Sequence, residues 1–136
     1  PIVIGGGGPK RTPRLAATYA SEYNLPFAPL GFFLKQCDRV RTACEKLDRD
    51  PGSMIFSAAQ VLCCGSDDAE IARRAKAIGR QVDELRQNGL AGTPAEVAEK
   101  IRTFTDAGAS RMYLQVLDLD DLEHLALVAS EVMPHV

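Results

Sequence analysis

Gly5, Gly6, Gly7 and Gly8 follow directly on the apolar run Ile2–Ile4, and Lys10 and Arg11 stand just after them. Consecutive glycines let a backbone reach φ > 0 and approach a ligand that a Cβ would hold off, so successive N–H groups can converge on an anion. Thr12 reads as the N-cap and Pro13 as the first residue of the following helix, whose positive dipole end would face the same point. Lys10 and Arg11 add full charge to those partial charges. The chemistry implied is phosphate binding through Gly6, Gly7 and Gly8. The competing reading is a tight strand-to-helix connection, which does not by itself require four glycines and the chain entropy they cost. Neither familiar nucleotide signature fits. Starting G-x-G-x-x-G at Gly5 puts Lys10 where the third glycine belongs, and the Gly-Lys-Ser/Thr ending of a Walker A loop is missing.

Other chemistry-bearing residues read as structural. Cys37, Cys44, Cys63 and Cys64 form no C-x-x-C pair and fall inside helix-like or strand-like runs, as small buried hydrophobes do. His124 and His135 lie far from them in sequence with no zinc-ligand spacing, so no metal site is expected. Asp118, Asp120 and Asp121 precede a helix, where capping accounts for them better than a cation does. Arg73, Arg74 and Lys76 read as the solvated face of a helix.

The elements that must position the glycine loop alternate. Ile2–Ile4 suit a strand buried on both faces, a helix runs from Pro13, and Ser21–Phe27 forms a second strand. Cys37, Val40, Cys44 and Leu47 recur at helical spacing within 35–48, and Asp50, Pro51 and Gly52 close that helix. Met54–Cys64 reads as a strand. A long helix capped by Ser66 carries Ile71, Ala75, Ile78, Val82 and Leu85. Thr93, Pro94 and Glu96 make a capping box, Arg111–Leu117 is a strand, and Asp120 with Glu123 opens the last helix. Strand and helix in turn imply an α/β domain with a mainly parallel sheet. A closed barrel needs eight such units; this chain has three or four.

The chain has 136 residues and a net charge of −2 with mixed signs, which offers no basic footprint for nucleic acid. No apolar run reaches the ~18 residues of a membrane span, and a soluble, cytoplasmic protein is expected.

Three separated segments, PIVIGGGGPKRTPRLAATYASEYN, GLAGTPAEVAEKI and RMYLQVLDLDDLEHLALVASEVMPHV, together resemble the C-terminal part of the luciferase-like monooxygenase family. The branch that uses the deazaflavin coenzyme F-420 is the nearest in pattern. The resemblance implies that residues 1–136 form a single partial domain, the C-terminal portion of a (β/α)8 TIM barrel. That portion would hold about three barrel strands, Pro1–Gly5, Ser21–Asn24 and Arg111–Leu117, with Met54–Cys64 and the helix after it as an insertion before the last of them, and is incomplete as a barrel. It implies that Gly6, Gly7 and Gly8 hold a cofactor phosphate, with Lys10 and Arg11 beside them. Family members often carry Asp-Glu-Trp-Asn where this chain has Ser21, Glu22, Tyr23 and Asn24, so Asn24 joins the implied cofactor-binding set. The implied cofactor is F-420, or FMN as the alternative, and the implied partner is a small organic substrate. Residues around the reactive ring belong to strands not present here, so no catalytic residue is named. The implied activity is hydride transfer, and the alternative is a non-catalytic, self-associating partial barrel with a relic phosphate loop. Open strand edges point to a homo-oligomer in either case.

Overall fold

The computed structural model describes all residues, Pro1–Val136. They divide into two compact units, Pro1–Ala59 with Phe104–Tyr113, and Gln60–Thr103 with Leu114–Val136.

The first unit is a parallel sheet with two crossover helices. Strand β1 (Val3–Gly5) leads into helix α1 (Arg11–Tyr19), strand β2 (Glu22–Pro26) and helix α2 (Leu30–Glu45). Strand β3 (Ile55–Cys64) begins in this unit. β2 lies between the other two, with Asn24 opposite Gly5 on one side and Ser57 on the other. Strand β5 (Arg111–Gln115) pairs with β3 in turn. The ladder therefore seats the run from Ile55 in the sheet, between β2 and β5, as a strand of that sheet and not as the insertion the resemblance implies. Its mostly apolar sequence, broken by Ser57 and Gln60, fits a strand covered on both faces.

Alternation along β2 separates two environments. Tyr23 and Leu25 point into a core built from Ala16 and Ala17 of α1, Phe33, Cys37, Val40 and Cys44 of α2, and Phe56 and Phe104. Alanines at 16 and 17 let α1 lie close to the sheet. Glu22 and Asn24 take the opposite phase. Glu22 is 4% exposed, yet its carboxylate accepts from Ser57 Oγ at 2.6 Å and Tyr113 Oη at 2.9 Å and pairs with Arg111. Asn24 Nδ2 donates to Ser57 Oγ at 2.9 Å, so a line of donation runs from Asn24 through Ser57 to the Glu22 carboxylate.

In the second unit, Gln60–Cys64 continue β3 and pair in parallel with strand β4 (Leu90–Gly92), an element the composition of 89–92 does not signal. The long helix expected from Ser66 is two helices, α3 (Asp68–Ala77) and α4 (Val82–Asn88). Gly79 at φ 67° ends the first, which no L side chain would do comfortably. Asp67 rather than Ser66 is the cap, accepting from Glu70 N at 2.8 Å. Helix α5 (Pro94–Asp106) opens on the expected box, with Thr93 N donating to Glu96 Oε2 at 2.7 Å. Helix α6 (Leu122–Glu131) is capped by Asp121, one residue later than expected, which accepts from His124 N at 2.9 Å.

Arg74 is not on a solvated face. It is 4% exposed and spends its donors on Asp121 at 2.8 Å, the Cys64 carbonyl at 2.8 Å and Glu70 at 2.9 Å. The guanidinium bond, with the cap bond from His124, pulls the Asp121 carboxyl down to about 2. His124 Nε2 accepts the Cys64 backbone N–H at 2.9 Å, a bond only the neutral ring can accept. Burial, then the nearby Arg74 charge, lowers the His124 pKa. All four cysteines are free and buried, as their setting in sequence implies. No helix is long and apolar enough to cross a membrane.

Both shifts make stability fall with acid. A histidine held below its ordinary 6.5 takes up its proton more readily in the unfolded chain, so folding weakens as pH drops through the range beneath 6.5. Asp121, held near 2 against an ordinary 3.8, adds a second loss below about pH 4. Urea midpoints measured from pH 8 to 3 should therefore decline in two ranges. His124→Gln, which can still accept from Cys64, should flatten the upper decline and leave the lower one.

Candidate functional site

β1 ends at Gly5, and the next three residues form a loop that glycine suits, most of all at Gly6. Gly6 stands at φ 119°, and its carbonyl accepts from Tyr23 Oη at 2.8 Å. Tyr23 is fully buried and burial raises its pKa to about 12, so it stays a donor. This one bond ties the loop to the sheet. A Cβ at Gly8 would lie 2.9 Å from Thr12 Oγ1, and one at Gly7 would lie 3.0 Å from the Phe32 ring. A side chain is thus strained by backbone conformation at Gly6, meets the Thr12 hydroxyl too closely at Gly8, and at Gly7 would need the Phe32 ring to give way.

α1 begins at Arg11, two residues before the expected start. Lys10 takes the N-cap position and makes no side-chain cap, and the first turn carries no acid. Pro13 is the third helical residue instead of the first, which its missing N–H allows anywhere in the first turn. Thr12 is therefore not the cap. Its hydroxyl lies against the glycine loop, 3.7 Å from where a Cβ at Gly6 would stand. Lys10 and Arg11 are exposed, and neither has a carboxylate within ion-pair distance.

α2 brings the third component. Gln36 is fully buried, and its Oε1 accepts from Arg39 Nη1 at 3.2 Å, which fixes the amide so that Nε2 points away from Arg39. Nε2 has no hydrogen-bond partner and lies 3.6 Å from where a Cβ at Gly7 would stand. A buried, unpaired donor costs a few kcal/mol. The loop and helix start beside it also offer donors: N–H groups with no side-chain cap and a Thr12 hydroxyl that can donate. What such a set can hold is an oxyanion.

Of the residues singled out in sequence, Gly6, Gly7, Gly8, Lys10 and Arg11 thus lie along one loop and helix start. Asn24 stands on the neighbouring strand opposite Gly5, with its amide nitrogen engaged by Ser57. Tyr23, Phe32 and Gln36 were not read from the sequence. Gln36 had a signal: it is the polar residue between Phe33 and Val40 on the apolar stripe of α2, three and four positions from each.

No family model matches the sequence, and no curated protein does. Solved structures do match. The coenzyme F-420-dependent tetrahydromethanopterin reductase from Methanopyrus kandleri aligns over 99% of this chain and 50% of its own, at 16% identity and a TM-score of 0.78. An F-420-dependent secondary alcohol dehydrogenase, in complex with an F-420–acetone adduct, aligns over 100% of this chain and 48% of its own, at 17% identity and a TM-score of 0.82. The oxygenating constituent of 3,6-diketocamphane monooxygenase from Pseudomonas putida, in complex with FMN, aligns over 98% and 48%, at 18% identity and a TM-score of 0.68. The chain thus spans about half the length of these proteins. At such identities the likeness is one of fold, and at that level it bears out the resemblance carried by the three sequence segments: the chain has the α/β architecture of the C-terminal half of a luciferase-like (β/α)8 barrel.

Proposed function

We propose that residues 1–136 are the cofactor-phosphate-binding part, a single partial domain, of a luciferase-like oxidoreductase that transfers hydride between F-420, or FMN, and a small organic substrate. The observation that carries this reading is the unpartnered Nε2 of buried Gln36 beneath Gly7, beside a helix start with no side-chain cap. The N–H groups of Gly6, Gly7 and Gly8 and the start of α1 would hold the phosphate, with Thr12 and Gln36 as side-chain donors. Lys10 and Arg11 would offset its charge. Asn24 would act from the adjacent strand. When bound, the deazaflavin or flavin ring supplies the hydride chemistry, and this chain's part is to fix the ring's position through its phosphate. A cytoplasmic setting suits such chemistry.

The second reading, a non-catalytic module that self-associates, is favoured by exposed apolar side chains. In the first unit Ile2, just before β1, and Val3 on it are more than half exposed, and β1 pairs only with β2. In the second, Leu119 and Leu122 are 75% and 69% exposed. Each Å² of such surface left in water costs roughly 25 cal/mol.

Gln36→Leu separates a ligand role from a structural one. Removing an unsatisfied donor should raise the urea stability of the free chain by about 1 kcal/mol, while the affinities for FMN and F-420, followed by fluorescence, should fall at least tenfold. Lower stability with unchanged affinity would end the assignment. Gly7→Val, which drives a branched side chain into Phe32, should weaken cofactor binding by an order of magnitude or more. The chain alone should show no turnover with F-420 or FMN and common reductants. In sedimentation equilibrium it should associate as concentration rises through the micromolar range, whereas a monomer throughout would mean that the exposed strand edge is not sticky.

A further inference from the structure

The first unit also holds a cleft of about 440 Å³ between α1 and α2, lined by Lys10, Arg14, Arg39 and Lys46 and by no carboxylate. In a chain with more acids than bases this needs a reason. Arg41 and every arginine from Arg73 onward lie within ion-pair distance of a carboxylate, but none of these four cleft residues does. Arg39 is moreover held in place by its bond to Gln36 Oε1 at 3.2 Å, and Pro13, Ala43 and Leu47 give the cleft an apolar floor. Four like charges around one hollow repel each other and concentrate positive potential there, a cost that a bound anion would remove. The volume is that of a small-molecule site.

We propose that this cleft is a second anion site. It takes a small organic anion with at least two negative charges, whose apolar body rests on Ala43 and Leu47. Phosphate esters and polycarboxylates share that chemistry. The inference rests on Arg14, Arg39 and Lys46; Lys10 also flanks the glycine loop and Arg39 also anchors Gln36, so the test reads the two sites by separate signals.

The test is a titration of the ¹⁵N-labelled chain with inorganic pyrophosphate and, separately, with citrate, following amide signals by NMR. Thr42, Ala43 and Lys46 should shift and saturate with at least one probe, and which probe acts decides between phosphate and carboxylate ligands. Arg14→Gln with Lys46→Gln should raise the dissociation constant at those signals at least tenfold. Thr42→Glu, which places a carboxylate in the cleft, should do the same. Cleft signals that stay still with both probes, or that titrate unchanged in both variants, overturn the proposal. Signals of Gly6 and Gly7 in the same spectra report the glycine loop independently: silence there with a responsive cleft leaves this inference standing and counts against the phosphate reading alone.

Discussion

The placement of β2 between β1 and β3 is the constraint from which the first unit's site is built. A strand paired in parallel on both edges cannot slip by one residue without turning every side chain to the other face. Register therefore puts Tyr23 on the helix side, where its hydroxyl can reach Gly6, and puts Asn24 opposite both Gly5 and Ser57. The loop's shape is consequently set by a strand that the loop itself does not belong to. Parallel pairing also requires crossover helices, and it is the second of these, α2, that carries Phe32 and Gln36 up against Gly7.

The second unit is organised around a buried charge instead. Arg74 joins α3 to the end of β3 and to the cap of α6, and its cost of burial is met by Asp121, Glu70 and the Cys64 carbonyl together. Removing any one partner would leave a guanidinium without enough acceptors in a place water does not reach, so the four groups act as a unit. His124 completes the arrangement from the other side, accepting the backbone N–H of Cys64 while Arg74 takes its carbonyl. Both hydrogen-bonding groups of the last residue of β3 are thus satisfied by side chains from helices.

How much of this could be read in advance depended on how local the cause was. The glycine run, the Thr93–Glu96 box and the apolar strand from Ile55 follow from neighbours in sequence, and they stand where expected. Helix starts fall one residue from expectation at Ser66 and Asp120, where neighbouring residues could each serve as the cap, and two at Thr12, where the helix starts at Arg11 with no side-chain cap at all. Arg74 looked like its neighbours Arg73 and Lys76, since nothing in a run of basic residues marks the one that will meet Asp121, 47 positions away. β4 was missed because three residues with no alternation become a strand only beside β3. Gln36 was legible in part: a polar residue on an apolar helix stripe asks for a partner, but the missing partner shows only when the surrounding atoms are in place.

That missing partner says something about how the unit is organised. Leucine at this position would pack in the same core with no desolvation penalty, and a glutamine whose two ends were both bonded would be simple structural glue. Gln36 is neither. Its oxygen accepts from Arg39, which favours keeping the amide in this orientation, and its nitrogen is held toward the glycine loop without an acceptor. Local stability alone would disfavour a buried amide nitrogen left unpaired. A ligand that supplies oxygens makes the same arrangement favourable, because donors already held in place need little reorganisation when the anion arrives. The uncapped start of α1 fits the same logic, since a carboxylate cap there would occupy the N–H groups that an anion needs.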